Sequence, residues 1–156
     1  MSPYRILIVE DNRIEALDLI KIIEAHGYDL AGVAKTGEEA ISISREKNPD
    51  VILMDIRLAG DMDGITAAEQ INRNQSIPII FLTAYSDIRT IRRATSTRLS
   101  GFITKPFSEH DVTNALEVAI YKHESEKLVH ENRQWLKTVL ESVGEGIIAI
   151  NSTGEI

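Results

Sequence analysis

Asp11, Asp55, Thr83 and Lys105 each stand at the carboxyl end of a predicted strand. If those strands run parallel in one sheet, their ends share an edge, and two acids, a hydroxyl and an ammonium converge there. Such groups suit a phosphoryl group and a hard cation. Glu10, adjacent to Asp11, adds a third acid. Clustered carboxylates disfavour one another's ionisation unless a cation neutralises them. Mg²⁺ fits that role, because it prefers oxygen ligands, keeps several waters and commonly uses one or two carboxylates with phosphate oxygens. Lys105 offers a mobile charge for a phosphoryl oxygen, Thr83 a hydroxyl, and the small Ala84 leaves room for a ligand. Pro106 follows Lys105, and a cis bond there would turn the chain sharply and aim the lysine inward. Phosphoryl transfer needs little beyond positioning and charge neutralisation, and a carboxylate can be the nucleophile. No one of these residues is diagnostic alone: Glu10-Asp11 by itself reads equally as a solvated strand end.

The elements that must position them are legible as punctuation. Ile6–Val9, Val51–Met54 and Ile79–Leu82 are short, continuous runs rich in branched residues, the pattern of strands buried on both faces. Leu30–Lys35 and Gly101–Thr104 are weaker strand candidates. Helical patterns follow each strand, and Asn12 with Glu15, Thr36 with Glu39 and Ser108 with Asp111 resemble caps with an acid three residues on. Gly27 sits where a left-handed C-terminal residue is expected, and Pro49 just before the third strand. Strand and helix alternate five times, which implies right-handed crossovers and an α/β doubly wound parallel sheet.

Composition bounds the rest. The 156 residues suffice for one ordinary domain and more, 43% of them are hydrophobic, and the formal charge is -7. That charge argues against general affinity for nucleic acid or anionic membrane. The absence of Cys excludes disulfides, thiolate zinc sites and cysteine nucleophiles, and a reducing cytoplasm fits. The N-terminus has no signal-peptide pattern, and no apolar run is long enough to span a membrane. His26, His110 and His123 read as surface or cap residues.

The fifth helical pattern continues from Ser108 to about Val143 without Gly or Pro. Val112, Leu116, Ala119 and Ile120 form a stripe that could cover the sheet. After the polar stretch Lys122–Lys127, Leu128, Val129, Trp135, Leu136, Val139, Leu140 and Val143 recur near heptad spacing, with Asn132 on the same stripe. This second stripe should pair with a copy of itself or with another segment, in preference to folding back on its own domain, and a parallel dimer through residues 108 to 143 is expected. From Gly144 onward a break, a short apolar strand and a turn are predicted, too little to stand alone in water.

With Glu10-Asp11, Met54-Asp55, Asp63-Gly64, Thr83-Ala84 and Lys105-Pro106-Phe107 in order, the chain resembles a response-regulator receiver domain. The resemblance covers about residues 4 to 121. It implies a flavodoxin-like five-stranded sheet of order 2-1-3-4-5, here with an extended C-terminal helix. It makes Asp55 the phosphoacceptor, gives Mg²⁺ to Glu10, Asp11, Asp55 and the backbone carbonyl of Arg57, and places Ala84 and Lys105 against the phosphoryl group. Thr83 and Phe102 become the switch pair, while Arg57 and Tyr85 would flank the pocket. The donor would be a sensor histidine kinase or phosphotransfer protein. Residues 1–121 are then the receiver, 122–143 a helical linker and 144–156 the start of a PAS domain, which Trp135–Ile156 resembles more weakly.

Other classes fare less well. An aspartyl-nucleophile phosphatase usually carries a second Asp two residues after the first, and Arg57 stands there. A vestigial receiver serving as a dimerisation scaffold is hard to reconcile with a complete set of site residues. A receiver portion of a hybrid sensor histidine kinase stays open. His130-Glu131-Asn132-Arg133 matches the phosphoacceptor box of histidine kinases, but Gln134-Trp135-Leu136 replaces the Thr-Pro-Leu that should follow.

Overall fold

Five apolar runs build one parallel sheet, in the order β2-β1-β3-β4-β5. The strands are β1 (Arg5–Val9), β2 (Asp29–Ala34), β3 (Val51–Asp55), β4 (Ile79–Ala84) and β5 (Leu99–Lys105). Helices α1 (Arg13–Ala25), α2 (Gly37–Lys47) and α3 (Gly64–Asn74) follow the first three strands, and a C-terminal helix (Glu109–Asn151) follows β5. This computed structural model describes the backbone of residues 3–84, 89 and 99–151 and the side chains of 3–84, 89, 100–128 and 133–140. The fourth helical pattern and Tyr85 lie outside the described residues.

Period-two alternation explains why the strands are apolar throughout. Leu7, Val9, Ile52, Met54, Ile79 and Phe81 face one core with Ile65, Ala68 and Ile71 of α3. Ile6, Ile8, Leu53, Ile80 and Leu82 face the other, with Leu19 and Ile23 of α1 and Val112, Leu116 and Ala119 of the C-terminal helix. The inner strands β1, β3 and β4 therefore bury both faces, while the edge strands β2 and β5 stay partly exposed. Parallel register brings the strand ends level, with Val9 beside Met54, Asp55 beside Leu82 and Ala84 beside Lys105.

Local chemistry sets where the helices begin and end. Asn12 Oδ1 accepts from the N–H groups of Ile14 and Glu15, and Thr36 Oγ1 accepts from that of Glu39. Ser108 and Asp111 form a reciprocal capping box, with N–H to side-chain distances of 3.0 and 3.1 Å. Gly27 takes φ +83° after α1, where Tyr28 N–H donates to Ile23 O and Gly27 N–H to Glu24 O, the paired bonds of a Schellman stop.

The chain divides into two compact units, Met1–Tyr121 and Lys122–Ile156. The strand expected over residues 147–150 is not formed: the C-terminal helix continues through Gly144 and Gly146 to Asn151. A strand needs partners for its N–H and C=O groups, whereas a helix satisfies them within the segment. Among the described residues of the second unit, Leu128, Trp135, Leu136 and Leu140 are exposed, between 48% and 66%. No helix among the described residues is long and apolar enough to cross a membrane.

Candidate functional site

The level strand ends bring β1, β3, β4 and β5 to one edge, where Glu10, Asp11, Asp55 and Lys105 meet. Lys105 Nζ donates to Asp55 Oδ2 at 2.9 Å and to Glu10 Oε1 at 2.9 Å. Both acids are buried, Glu10 at 1% exposure and Asp55 at 6%. Asp11 is exposed beside them, and carboxylate oxygens of Glu10, Asp11 and Asp55 lie within 4.8 Å of one another. The Lys105-Pro106 bond is cis. Thr83 is buried, with its hydroxyl donating to the Ala84 carbonyl at 3.0 Å. Arg57 N–H donates to Asp55 Oδ1 at 3.2 Å, which lays the Arg57 backbone against the same carboxylate. Phe102 is half-exposed and lines a cleft of about 570 Å³ with Asn114, Ala115 and Val118.

Two supports went unread in the sequence. Glu15 has the position of a capping-box acid, yet its carboxylate reaches Lys105 Nζ at 2.7 Å. The Asn12 N–H it would have served donates instead to Glu10 Oε2 at 3.1 Å, so one residue fixes both the helix start and the buried acid. The second support is Asp63-Gly64. Asp63 caps α3 by accepting from Thr66 N–H at 2.8 Å, and Gly64 N–H donates to Ile56 O at 2.7 Å. A Cβ on Gly64 would lie 2.0 Å from the Asp55 carbonyl oxygen, so only glycine lets α3 approach the strand that carries the acid. The motif Asp-Gly was visible; its closeness to Asp55 was not.

Burial is the main force on the Glu10 carboxyl and, with hydrogen bonds to Glu15 and Asp55 and the Asp55 charge, pushes it up to about 9 against the pull of Lys105. The hydrogen bond with Glu10, opposed by burial and reinforced by Lys105, holds Glu15 below the usual carboxylate range. Burial alone would lower Lys105, but its hydrogen bonds to Glu15, Asp55 and Glu10 outweigh that and hold it above its ordinary value. The lysine therefore does not offset the burial of Glu10. A second, hard cation fits the cluster: its donors are all carboxylate oxygens, and they sit close enough to share an ion.

The geometry can thus hold a divalent cation and present a carboxylate and a lysine to a phosphoryl group. The response regulator receiver domain family matches residues 6–117 of the chain. The transcriptional regulatory protein PdtaR of Mycobacterium tuberculosis (strain CDC 1551 / Oshkosh) is 35% identical over 118 residues, 76% of this chain and 57% of that one. The phyllosphere-induced regulator PhyR of Methylorubrum extorquens is 36% identical over 123 residues, 77% of this chain and 45% of that one. The chain spans about half the length of these curated relatives. Among solved structures, the signal receiver domain of a modulated diguanylate cyclase from Desulfovibrio desulfuricans G20 matches with TM-score 0.75 and 36% identity, covering 80% of this chain and 98% of that one. The N-terminal domain of a response regulator/sensory box/GGDEF 3-domain protein from Carboxydothermus hydrogenoformans matches with TM-score 0.72 and 33% identity, covering 78% and 98%.

Proposed function

The chain belongs to the response regulator receiver domain family, and on that premise we propose that it is the phosphoacceptor of a two-component phosphorelay, with Asp55 as the residue modified. The observation that carries this reading is the convergence of Asp55, Glu10 and Lys105 within hydrogen-bond distance at the sheet edge. A carboxylate oxygen of Asp55 attacks the phosphorus of a phosphohistidine on a sensor kinase or phosphotransfer protein. The phosphorus–nitrogen bond breaks, the imidazole leaves with the electron pair and takes up a proton, and an acyl phosphate remains on Asp55. Glu10, Asp11, Asp55 and the Arg57 carbonyl would hold Mg²⁺, which when bound neutralises charge on the phosphoryl oxygens.

The other site residues position and report. Lys105 pairs with a phosphoryl oxygen, and Ala84 leaves that oxygen room. Thr83 turns its hydroxyl from the Ala84 carbonyl to the phosphoryl group, and Phe102 follows it inward. The chemistry is self-phosphorylation and hydrolysis of the acyl phosphate, carried out in the cytoplasm, not turnover of a separate substrate.

The changed surface around β4, β5 and the start of the C-terminal helix would act through that helix. Its exposed Leu128, Trp135, Leu136 and Leu140 support a parallel homodimer through the linker 122–143. We propose too that residues 144–156 open a PAS-type sensory module, supported by the resemblance over Trp135–Ile156 and by the similar receiver from a protein described as response regulator/sensory box/GGDEF. Strand partners in the rest of that module would convert residues 147–150 from helix to strand; a longer chain that keeps them helical overturns this part.

Mass spectrometry tests the central reading. After acetyl phosphate and Mg²⁺, wild type should carry one phosphoryl group and Asp55→Asn none; equal labelling of both refutes it.

A further inference from the structure

An ammonium has three protons to donate and accepts nothing. Lys105 commits all three to carboxylates: Glu15 Oε2 at 2.7 Å, Glu10 Oε1 at 2.9 Å and Asp55 Oδ2 at 2.9 Å. A phosphoryl group on Asp55 requires one of those donors, so one contact must yield. The three are not equally replaceable. The Glu10 side chain is fully buried, and its second oxygen is held by the Asn12 N–H. Asp55 carries the phosphoryl group itself, and its Oδ1 is held by the Arg57 N–H. Glu15 stands on the first turn of α1 with 35% of its side chain exposed, so it can swing into water without stranding a buried charge.

We propose that Glu15 is a positioning residue that holds Lys105 in the unphosphorylated protein and is displaced from Nζ by a phosphoryl oxygen on Asp55. The inference rests on the receiver reading of this site. In it, Glu15 is a competitor built into the fold. Its carboxylate occupies the lysine donor the phosphoryl oxygen needs, and its charge opposes the incoming anion at short range. Removing that carboxylate frees a donor and relieves repulsion, so the affinity for a phosphoryl mimic rises. The scale is one charge-assisted hydrogen bond, about tenfold in a dissociation constant. A preorganising role for Glu15 predicts the opposite sign, because a lysine without its tether would have to be ordered by the ligand.

The test is a calorimetric titration of the full chain with beryllofluoride at saturating Mg²⁺, for wild type, Glu15→Ala, Glu15→Gln and Asp18→Asn. Asp18 is an exposed acid on the same helix and controls for net charge. Both Glu15 variants should bind the mimic about tenfold tighter, with Asp18→Asn unchanged. The Lys105 side-chain nitrogen resonance should shift in metal-free Glu15→Gln and stay in place in Asp18→Asn. Equal or weaker binding by the Glu15 variants overturns the inference, as does an equal gain in Asp18→Asn. If wild type binds no mimic, the receiver reading falls with it; if wild type binds and the Glu15 variants match it, only the role of Glu15 falls. Should Glu15→Ala fail to fold, the isosteric Glu15→Gln decides the matter.

Discussion

Replacing Lys105 by Met would leave Glu10, Asp55 and Glu15 facing one another without the cation they share. The lysine side chain is 20% exposed and makes three contacts of 2.7–2.9 Å. Removing one partner of a buried ion pair costs about 3–5 kcal/mol. The lower end applies here, because Glu15 can escape to solvent and Glu10 can keep its proton, which places the loss near ~3 kcal/mol. For a unit of this size, at about 4 °C per kcal/mol, the metal-free melting temperature should fall by roughly 12 °C. Mg²⁺ should reverse most of this. At a hundredfold excess over Kd, bound ligand adds about 2.7 kcal/mol. The decisive quantity is the difference between proteins at one fixed, subsaturating Mg²⁺ concentration. Lysine and metal are alternative counter-cations for the same oxygens, so Lys105→Met should gain more from Mg²⁺ than wild type does. Scanning calorimetry of both proteins over a Mg²⁺ series measures the coupling. Equal gains in the two proteins would mean that the carboxylates Lys105 touches do not hold the metal, and the reasoning would be refuted.

Gly64→Ala should displace β3 from α3, since its methyl would lie 2.0 Å from the Asp55 carbonyl oxygen. An ångström of displacement at a reacting group costs about a hundredfold in rate, so acetyl phosphate labelling should slow on that scale, with about 1–3 kcal/mol lost in denaturant melts; labelling at the wild-type rate would show that the contact is not rigid. Asp111 is held below the usual range by its hydrogen bonds with Ser108, so its contribution to stability is present above the unfolded value of 3.8 and is lost as pH falls through the lower folded value. Asp111→Asn should therefore flatten the acid side of the stability profile below about pH 4, and an unchanged acid limb in thermal melts would count against the capping box. If the proposed dimer forms, light scattering should show a dimer for wild type and a monomer after paired substitution of Leu136 and Leu140 by Asp; a wild type that is monomeric at high concentration refutes the proposal.

Much of the site was legible because its signals are local. Apolar runs closed by Glu10-Asp11, Asp55, Thr83 and Lys105 need only parallel register to converge, and buried parallel strands leave few other arrangements. Caps at Asn12, Thr36 and Ser108 were equally readable, because side chain and N–H lie within three residues. The helix over 144–151 was not, because Ile147-Ile148-Ala149-Ile150 suits a strand in a sheet and a helix without one. A short apolar run does not carry that choice by itself.

The sequence by itself determined the alternation of strand and helix and the residue types at each strand end, since these depend on residue type and near neighbours. The tertiary structure decided which groups the lysine serves. Glu15 and Lys105 are 90 residues apart, and the first turn of α1 must be angled toward β5 before they meet. It likewise decided that Gly64 must be bare, because the approach of α3 to Asp55 depends on how a helix packs on a sheet. Periodicity says that a residue faces inward; only packing says what it faces.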